Sequence, residues 1–468
     1  MSAEFDVAVI GAGDVGAAIA RELSRYELTI ALLDGGDVGA GTSKANTAIL
    51  HTGFDAKPGT LEAGLVARGH DLLEDYALEV GIPLERTGAL LIAWDGEQLE
   101  RLPAIRANAS ANGYTHIADI TPAELYRREP HLGAGALGAL HIPDEFIICP
   151  WTAPLAWATQ ARLSGALVRR GEKVDGLQRG DGIWTLRTSR GSLRARWVVN
   201  AAGLYSDEIH RLAGFDGFTI TPRRGELIVF DKLSRPLLSH VLLPVPTATT
   251  KGVLIAPTVF GNVMLGPTAE DVHDKRERAC TAAGINTLRE QGARLMPDLL
   301  QNEVTAVYAG LRAACEHADY QLRVHADASY VCAGAIRSTG LSAAMAIAEW
   351  VREGMRDGGL VMREKRAGLA PLRMPNIGEA APRPYRESEL IERDPAYGEV
   401  LCFCERVTRG EVRDAARSPL PPADLDALRR RTRVLMGRCQ GFYCGAKVSR
   451  ALEVESEAAA GALGSRAL

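Results

Sequence analysis

Apolar residues run almost unbroken through Phe5-Asp-Val-Ala-Val-Ile10, the pattern of a strand buried on both faces. The loop Gly11-Ala-Gly13-Asp-Val-Gly16 follows, and Ala17 to Ser24 then predicts a helix. Leu28-Thr-Ile-Ala-Leu-Leu-Asp34 predicts a second strand that ends in an acid. In that order these elements predict a βαβ dinucleotide-binding unit. Gly11 permits the turn, Gly13 lets the backbone approach a pyrophosphate, and Gly16 lets helix and strand pack closely. Val15 belongs to the same loop, and the helix N-terminus offers N–H groups to phosphates. Asp34, 18 residues after Gly16, is placed to accept from a ribose 2′-hydroxyl. Asp14 puts a carboxylate where apolar residues are usual and is expected to point away from the phosphates.

Further along, Glu172 to Ala201 reads as a meander: Lys173–Leu177, a turn at 180–182, Ile183–Thr188, a turn at Arg190-Gly191, then Val198–Ala201. Gly225 to Phe230 and Gly252 to Ala256 are β-prone. Residues 366–396 are rich in Pro, Arg and Glu and poor in large apolar side chains, which predicts a linker. Beyond about 397 a small domain is expected, with helical signs at 409–417 and 423–433.

Composition sharpens this. A chain of 468 residues with 46% hydrophobic and 24% charged content is expected to form two or three globular domains. A net charge of −4 gives no footprint for nucleic acid. No apolar run approaches the roughly 18 residues needed to span a bilayer. Met1 to Asp6 has no signal-peptide pattern, so a cytoplasmic protein is expected. There, paired thiols are more often metal ligands than disulfides.

Eight cysteines are present, and four of them are paired near the end of the chain. Cys402-Phe-Cys404 is followed by 34 residues and then Cys439-Gln-Gly-Phe-Tyr-Cys444. Two thiol pairs joined by a folded segment supply the four soft ligands of an iron–sulfur cluster. Zinc is the structural rival, although it favours spacers of two to four residues. The isolated Cys149, Cys280, Cys315 and Cys332 read as small buried hydrophobes.

Residues 41–55, 197–206 and 334–342 together resemble the glutathione-reductase-like flavoproteins of the D-amino-acid oxidase and glycerol-3-phosphate dehydrogenase group. The stretches SKANTAILHTGFDAKPGTLEA (43–63), TKGVLIAPTVFGNVMLGPTAED (250–271) and YAGLRA (308–313) resemble soluble glycerol-3-phosphate oxidases and dehydrogenases. CFCERVTRGEV (402–412) and RRRTRVLMGRCQGFYCG (429–445) resemble the A subunit of anaerobic glycerol-3-phosphate dehydrogenases and bacterioferritin-associated-ferredoxin-like [2Fe–2S] domains. The resemblance implies FAD as the dinucleotide and a [2Fe–2S] cluster on Cys402, Cys404, Cys439 and Cys444.

It also implies an α/β FAD-binding fold with an interleaved α+β substrate domain and a small C-terminal [2Fe–2S] domain. The FAD-binding domain is expected from 1–80, 151–220 and 325–365, the substrate domain from 81–150 and 221–324, the linker at 366–396, and the cluster domain from 397–468. Cofactor contacts are implied for Thr42, Ser43, Thr47, Ala48 and Ile49, for Val174 and Gly203, and for Ser338, Thr339, Gly340, Leu341 and Ser342. Thr339 stands where many relatives have proline.

His51 is the candidate base for a secondary alcohol, since a neutral imidazole accepts a hydroxyl proton near pH 7. Taken alone, a histidine that only hydrogen-bonds its loop is the commoner case. Arg312 and Lys251 are candidate cations for an anionic substrate, against the ordinary fate of solvated surface charge. Asn46, Thr47, Ser338 and Thr339 are further candidates to line the pocket. Three functions remain open on the sequence. The chain oxidises glycerol 3-phosphate or a related anionic polyol and passes electrons to a quinone or partner redox subunit. Alternatively it oxidises a 2-hydroxy acid, amino acid or secondary amine within a heteromeric complex, or it is a non-catalytic electron-transfer subunit. Peripheral membrane contact and a hetero-oligomer are both compatible with the first two.

Overall fold

The computed structural model describes residues 4–246 and 252–464, with side chains through 459. Its first sheet is organised around Glu4–Ile10, which pairs in parallel with Ile30–Asp34 on one side and Gly191–Asn200 on the other. Leu167–Arg170 extends the sheet beyond Ile30–Asp34. The long strand Gly191–Asn200 serves two neighbours. Its first half pairs antiparallel with Ile183–Thr188, and its last three residues pair parallel with Tyr330–Gly334. The antiparallel strands Val174–Gly180 and Ile183–Thr188 are the expected meander. Helices Asp14–Leu23, Leu61–Val80, Thr152–Leu163 and Gly340–Asp357 bury Val66, Leu73, Ile19, Trp157, Ile347 and Val351 with Val7 and Val9 of the sheet.

Glycines set the close approaches. A Cβ on Gly16 would lie 1.8 Å from the Gly11 carbonyl oxygen, and Gly11 itself has φ +104. The helix can therefore sit tightly on the loop only with glycine at both positions.

A second, nine-stranded sheet among the described residues is built on the antiparallel pair Thr221–Phe230 and Val304–Ala314. Ala89–Ala93, Gly138–Ile142 and Val241–Pro244 join it from distant parts of the chain. Gly310 brings this sheet against the first unit: its Cβ would stand 2.2 Å from the Ala45 carbonyl oxygen.

The cysteine-bearing tail forms its own core from Leu401, Val407, Val412, Leu428, Val434 and Val448. Helices Arg409–Ala416 and Leu425–Thr432 fall on the two helical signs read from the sequence, and Gly445–Gly464 is a third. Thr408 and Glu411 close the first of these with a capping box.

Residues 366–396, read as a linker, are a strap fastened along its length. Met374 donates from its backbone to Val80, Glu379 does so to Val259, and the buried Arg383 reaches Glu411 Oε1 at 2.8 Å. Backbone bonds, the Lys232–Glu379 ion pair, Arg373, Arg383 and the buried Met374 and Ile377 hold it, contacts that the overall composition of the stretch did not announce. Among the described residues no helix is long and apolar enough to cross a membrane.

Candidate active site and thiol centre

The two sheets enclose a cavity of about 870 Å³. The dinucleotide loop contributes Gly11, Gly13 and Val15 to its wall, and Asp34, Thr42, Ser43 and Thr47 continue it. Gly203, Ser338, Thr339, Gly340 and Leu341 line it from the other side. The remaining residues implied as cofactor contacts stand elsewhere. Gly16 packs on Gly11, Val174 lies in the core with Ile10 and Leu33, and the buried Ala48 and Ile49 run behind the loop. Ser342 is buried and accepts the backbone N–H of His51 at 2.9 Å. Asp34 is braced by the backbone N–H groups of Ala12 and Gly36, both at 2.7 Å. Burial pushes its carboxyl above the usual range. A long cavity ending on a glycine cradle and a helix N-terminus fits a flavin dinucleotide.

His51 lines the same cavity, and its Nδ1 lies 2.8 Å from Glu145 Oε2. Glu145 is fully buried, and its other oxygen accepts from the backbone N–H and hydroxyl of Thr52 at 2.7 and 3.0 Å. A carboxylate so fixed holds the proton on Nδ1 and makes Nε2 the acceptor nitrogen. Sequence reasoning missed Glu145. The available signal was an acid placed directly before the apolar run Phe146-Ile-Ile148.

Arg312 is recessed in the cavity wall beside Gly225, where a Cβ would come within 2.8 Å of its Nη2. Burial, and then the nearby Arg223, lower its guanidinium to about 10. Arg223 is neutralised by Asp271 at 2.6 Å. Arg312 makes only long contacts of 3.4 Å to the Thr268 carbonyl and, among the described residues, has no carboxylate partner. A recessed cation left in this state is chemically suited to an anion. Lys251 lies outside the described residues.

Asn46 spends its side chain on its own loop: its amide donates to the Ser43 carbonyl and its oxygen accepts from Ala48. Thr339 donates to Glu62 at 2.8 Å.

Asp14 is buried against Ser43, with one carboxylate oxygen lacking any hydrogen-bond partner, and burial raises its carboxyl to about 7. Because the folded value is raised, the unfolded chain releases this proton first. Stability therefore falls from about pH 4 to about pH 7 and is level above. We expect Asp14→Asn to raise the melting temperature at pH 8 and to have little effect at pH 4, as read by thermal unfolding at both. Equal shifts at the two pH values would contradict this.

The four tail thiols meet as two pairs, Cys404 with Cys439 and Cys402 with Cys444. Among the described residues no three or more His, Cys, Asp or Glu side chains surround a point suited to a single ion. Backbone N–H groups of Tyr443, Gly441 and Phe442 surround the Cys439 sulfur and hold its thiol below the ordinary value. Left-handed backbone at Arg406, Arg433, Leu435 and Gln440 shapes these loops. Inward-turned N–H groups suit sulfur ligands of a cluster. Cys149 and Cys332 are buried, whereas Cys280 and Cys315 are partly exposed.

The fold and cavity define an FAD-dependent oxidoreductase. The family model of FAD dependent oxidoreductases (DAO) matches residues 6–353, and the chain belongs to that family. The model of the BFD-like [2Fe–2S] binding domain matches residues 400–453. The cofactors are accordingly FAD and a [2Fe–2S] cluster, so the zinc reading falls, as does that of a non-catalytic subunit. A glycerol 3-phosphate dehydrogenase of Caloramator mitchellensis is 34% identical over 96% of this chain and 94% of its own. A glycerol 3-phosphate oxidase of Mycoplasma pneumoniae is 31% identical over 75% of this chain and 94% of its own. The solved structure of dithionite-reduced L-α-glycerophosphate oxidase from Mycoplasma pneumoniae with FAD bound superposes with a TM-score of 0.75. That structure is 29% identical and covers 80% of this chain and 100% of the other.

Replacing Cys439 with serine removes one of the four thiolates. The expected result is loss of the iron signal with flavin content unchanged, read by metal analysis and absorbance. Undiminished iron would remove Cys439 from the ligand set.

Proposed function

We propose that the chain is a glycerol 3-phosphate dehydrogenase whose electrons leave through the cluster. The observation that carries this is Arg312, a recessed guanidinium without a carboxylate partner among the described residues, in the same cavity as the His51–Glu145 pair. When bound, FAD supplies a hydride acceptor and the cluster a one-electron outlet. Arg312 grips the substrate's phosphate and sets the register of its carbinol, with Lys251 as a second cation. His51 takes the hydroxyl proton at Nε2, and Glu145 holds Nδ1–H and balances the charge that develops on the ring. The sheet contributes Leu91, Leu227 and Leu254 to the cavity wall, which limits water around the charged groups.

The acceptor is a quinone or a partner redox subunit reached at the tail. Phe403, Phe442 and Tyr443, each more than 70% exposed, stand on the two cysteine loops and support docking there. Such docking accommodates peripheral membrane contact or a hetero-oligomer, in a cytoplasmic setting.

A carboxylate substrate is the second reading. Arg312 suits a carboxylate too, and bovine mitochondrial L-2-hydroxyglutarate dehydrogenase is 29% identical over 57% of this chain. Anaerobic flavin bleaching decides between them. Glycerol 3-phosphate is expected to bleach the flavin at concentrations where 2-hydroxyglutarate and amino acids do not. Bleaching by a carboxylate alone would replace the phosphate reading.

A further inference from the structure

Arg433 follows helix Leu425–Thr432 as its C-cap and has φ +74. Glycine is usual there, since an L side chain is strained in the left-handed region. The side chain accounts for the exception. It is buried, and its guanidinium lies 4.2 Å from the ring centre of Phe260 and 5.6 Å from that of Trp151. Those two rings stack at 4.9 Å with 13° between their planes. Arg433 also donates to Glu405 Oε2 and to Asn262 Oδ1, both at 3.2 Å.

Each end of this group contacts a residue next in the chain to a cluster cysteine or to the cavity wall. Glu405 follows Cys404 in the chain. At the other end Trp151 Nε1 donates to the Lys44 carbonyl at 3.0 Å, and the next residue, Ala45, lines the cavity. Lys44 in turn meets Asp426, on the same tail helix, at 3.2 Å. A continuous line of contacts therefore runs from Cys404 through Glu405, Arg433, Phe260 and Trp151 to the cavity wall.

We propose that Arg433, seated on the Trp151–Phe260 pair, is the positioning residue that holds the cysteine loops against the flavin-binding loop, and that electrons cross from flavin to cluster at this joint. The proposal rests on the reading that the cluster is the electron outlet. The two electrons taken from one substrate molecule cross singly, because a [2Fe–2S] centre accepts one at a time. Each is then removed by a one-electron acceptor, or the pair by a quinone in two steps. Transfer between protein-bound centres falls steeply with separation, so a slack joint slows it. A planar, always charged guanidinium stacked on an aromatic face fixes such a joint, where a flexible ammonium does not. Arg431 with Asp37 at 3.0 Å and Arg438 with Asp231 at 2.8 Å tie the tail independently. Removing the Arg433 side chain thus loosens the joint without releasing the domain.

The test mixes anaerobic holoprotein with one equivalent of glycerol 3-phosphate and follows flavin by absorbance and cluster by freeze-quench electron paramagnetic resonance. Arg433→Gln and Phe260→Leu are expected to bleach flavin at the wild-type rate. Their cluster reduction should be at least tenfold slower, with flavin content, iron content and the resonance line shape of the reduced cluster unchanged. Arg433→Lys should fall between. Should Arg433→Gln lose iron, Phe260→Leu, which lies outside the cysteine-bearing tail, decides. Cluster reduction at the wild-type rate in an iron-replete variant overturns the proposal. A wild-type cluster that substrate never reduces overturns instead the functional reading on which it rests.

Discussion

Replacing His51 with alanine is expected to lower kcat by roughly 10²- to 10⁴-fold, the usual contribution of a positioned general base. The side chain sits in the cavity wall with Nδ1 held by a fully buried carboxylate. Its removal takes away the group proposed to accept the hydroxyl proton. Flavin content should be unchanged, because the residue belongs to none of the dinucleotide loop elements. Glu145→Gln keeps the shape of the site but replaces the anion that stabilises a protonated ring. It should reduce kcat by less than His51→Ala and move the acid limb of the kcat–pH profile to lower pH. Steady-state kinetics across pH 5–9 checks both. A His51→Ala enzyme of near wild-type kcat would remove His51 from the chemistry.

Arg312→Ala should depress kcat/KM by roughly 30-fold to several thousand-fold, corresponding to about 2–5 kcal/mol for taking a charged partner away from an anion in a desolvated site. Burial lowers this guanidinium, yet at about 10 it stays cationic throughout the physiological range. Its binding role is therefore expected to show no titration below pH 9. Arg312→Lys retains charge but lacks the two-pronged geometry that matches a phosphate, so it should recover only part of the activity. Kinetics with glycerol 3-phosphate and with a neutral polyol separate the cases: the polyol should respond far less. An equal fall for both would assign Arg312 to the fold and not to the anion.

What the sequence disclosed follows from the range of the interactions concerned. The dinucleotide unit was legible because strand, glycine loop, helix and acid are consecutive, and each glycine answers a local backbone demand. The helices at Arg409–Ala416 and Leu425–Thr432 were legible for the same local reason. Glu145 was not, since its partner His51 is 94 positions away and an isolated acid carries no periodicity. The burial of Arg431 and Arg433 was not legible either, because the carboxylate, carbonyl and aromatic ring that meet them come from Asp37, Leu420 and Phe260. The attachment of the linker at 366–396 was not legible for a related reason. Its anchors include backbone bonds to Val80 and Val259, invisible to composition. Asn46, expected to line the pocket, does so, while its side chain also braces its own loop through Ser43 and Ala48.

The fate of the electrons is the most direct test of the proposed function. Anaerobic holoprotein titrated with glycerol 3-phosphate to excess, and then given air, is followed by absorbance, electron paramagnetic resonance and peroxide assay. A dehydrogenase that unloads through its cluster shows a bleached flavin, a reduced [2Fe–2S] signal approaching one spin per chain as substrate is added, and slow peroxide formation on exposure to oxygen. A cluster that stays oxidised beside a fully reduced flavin, with rapid peroxide release in air, would contradict this and make the protein an oxidase.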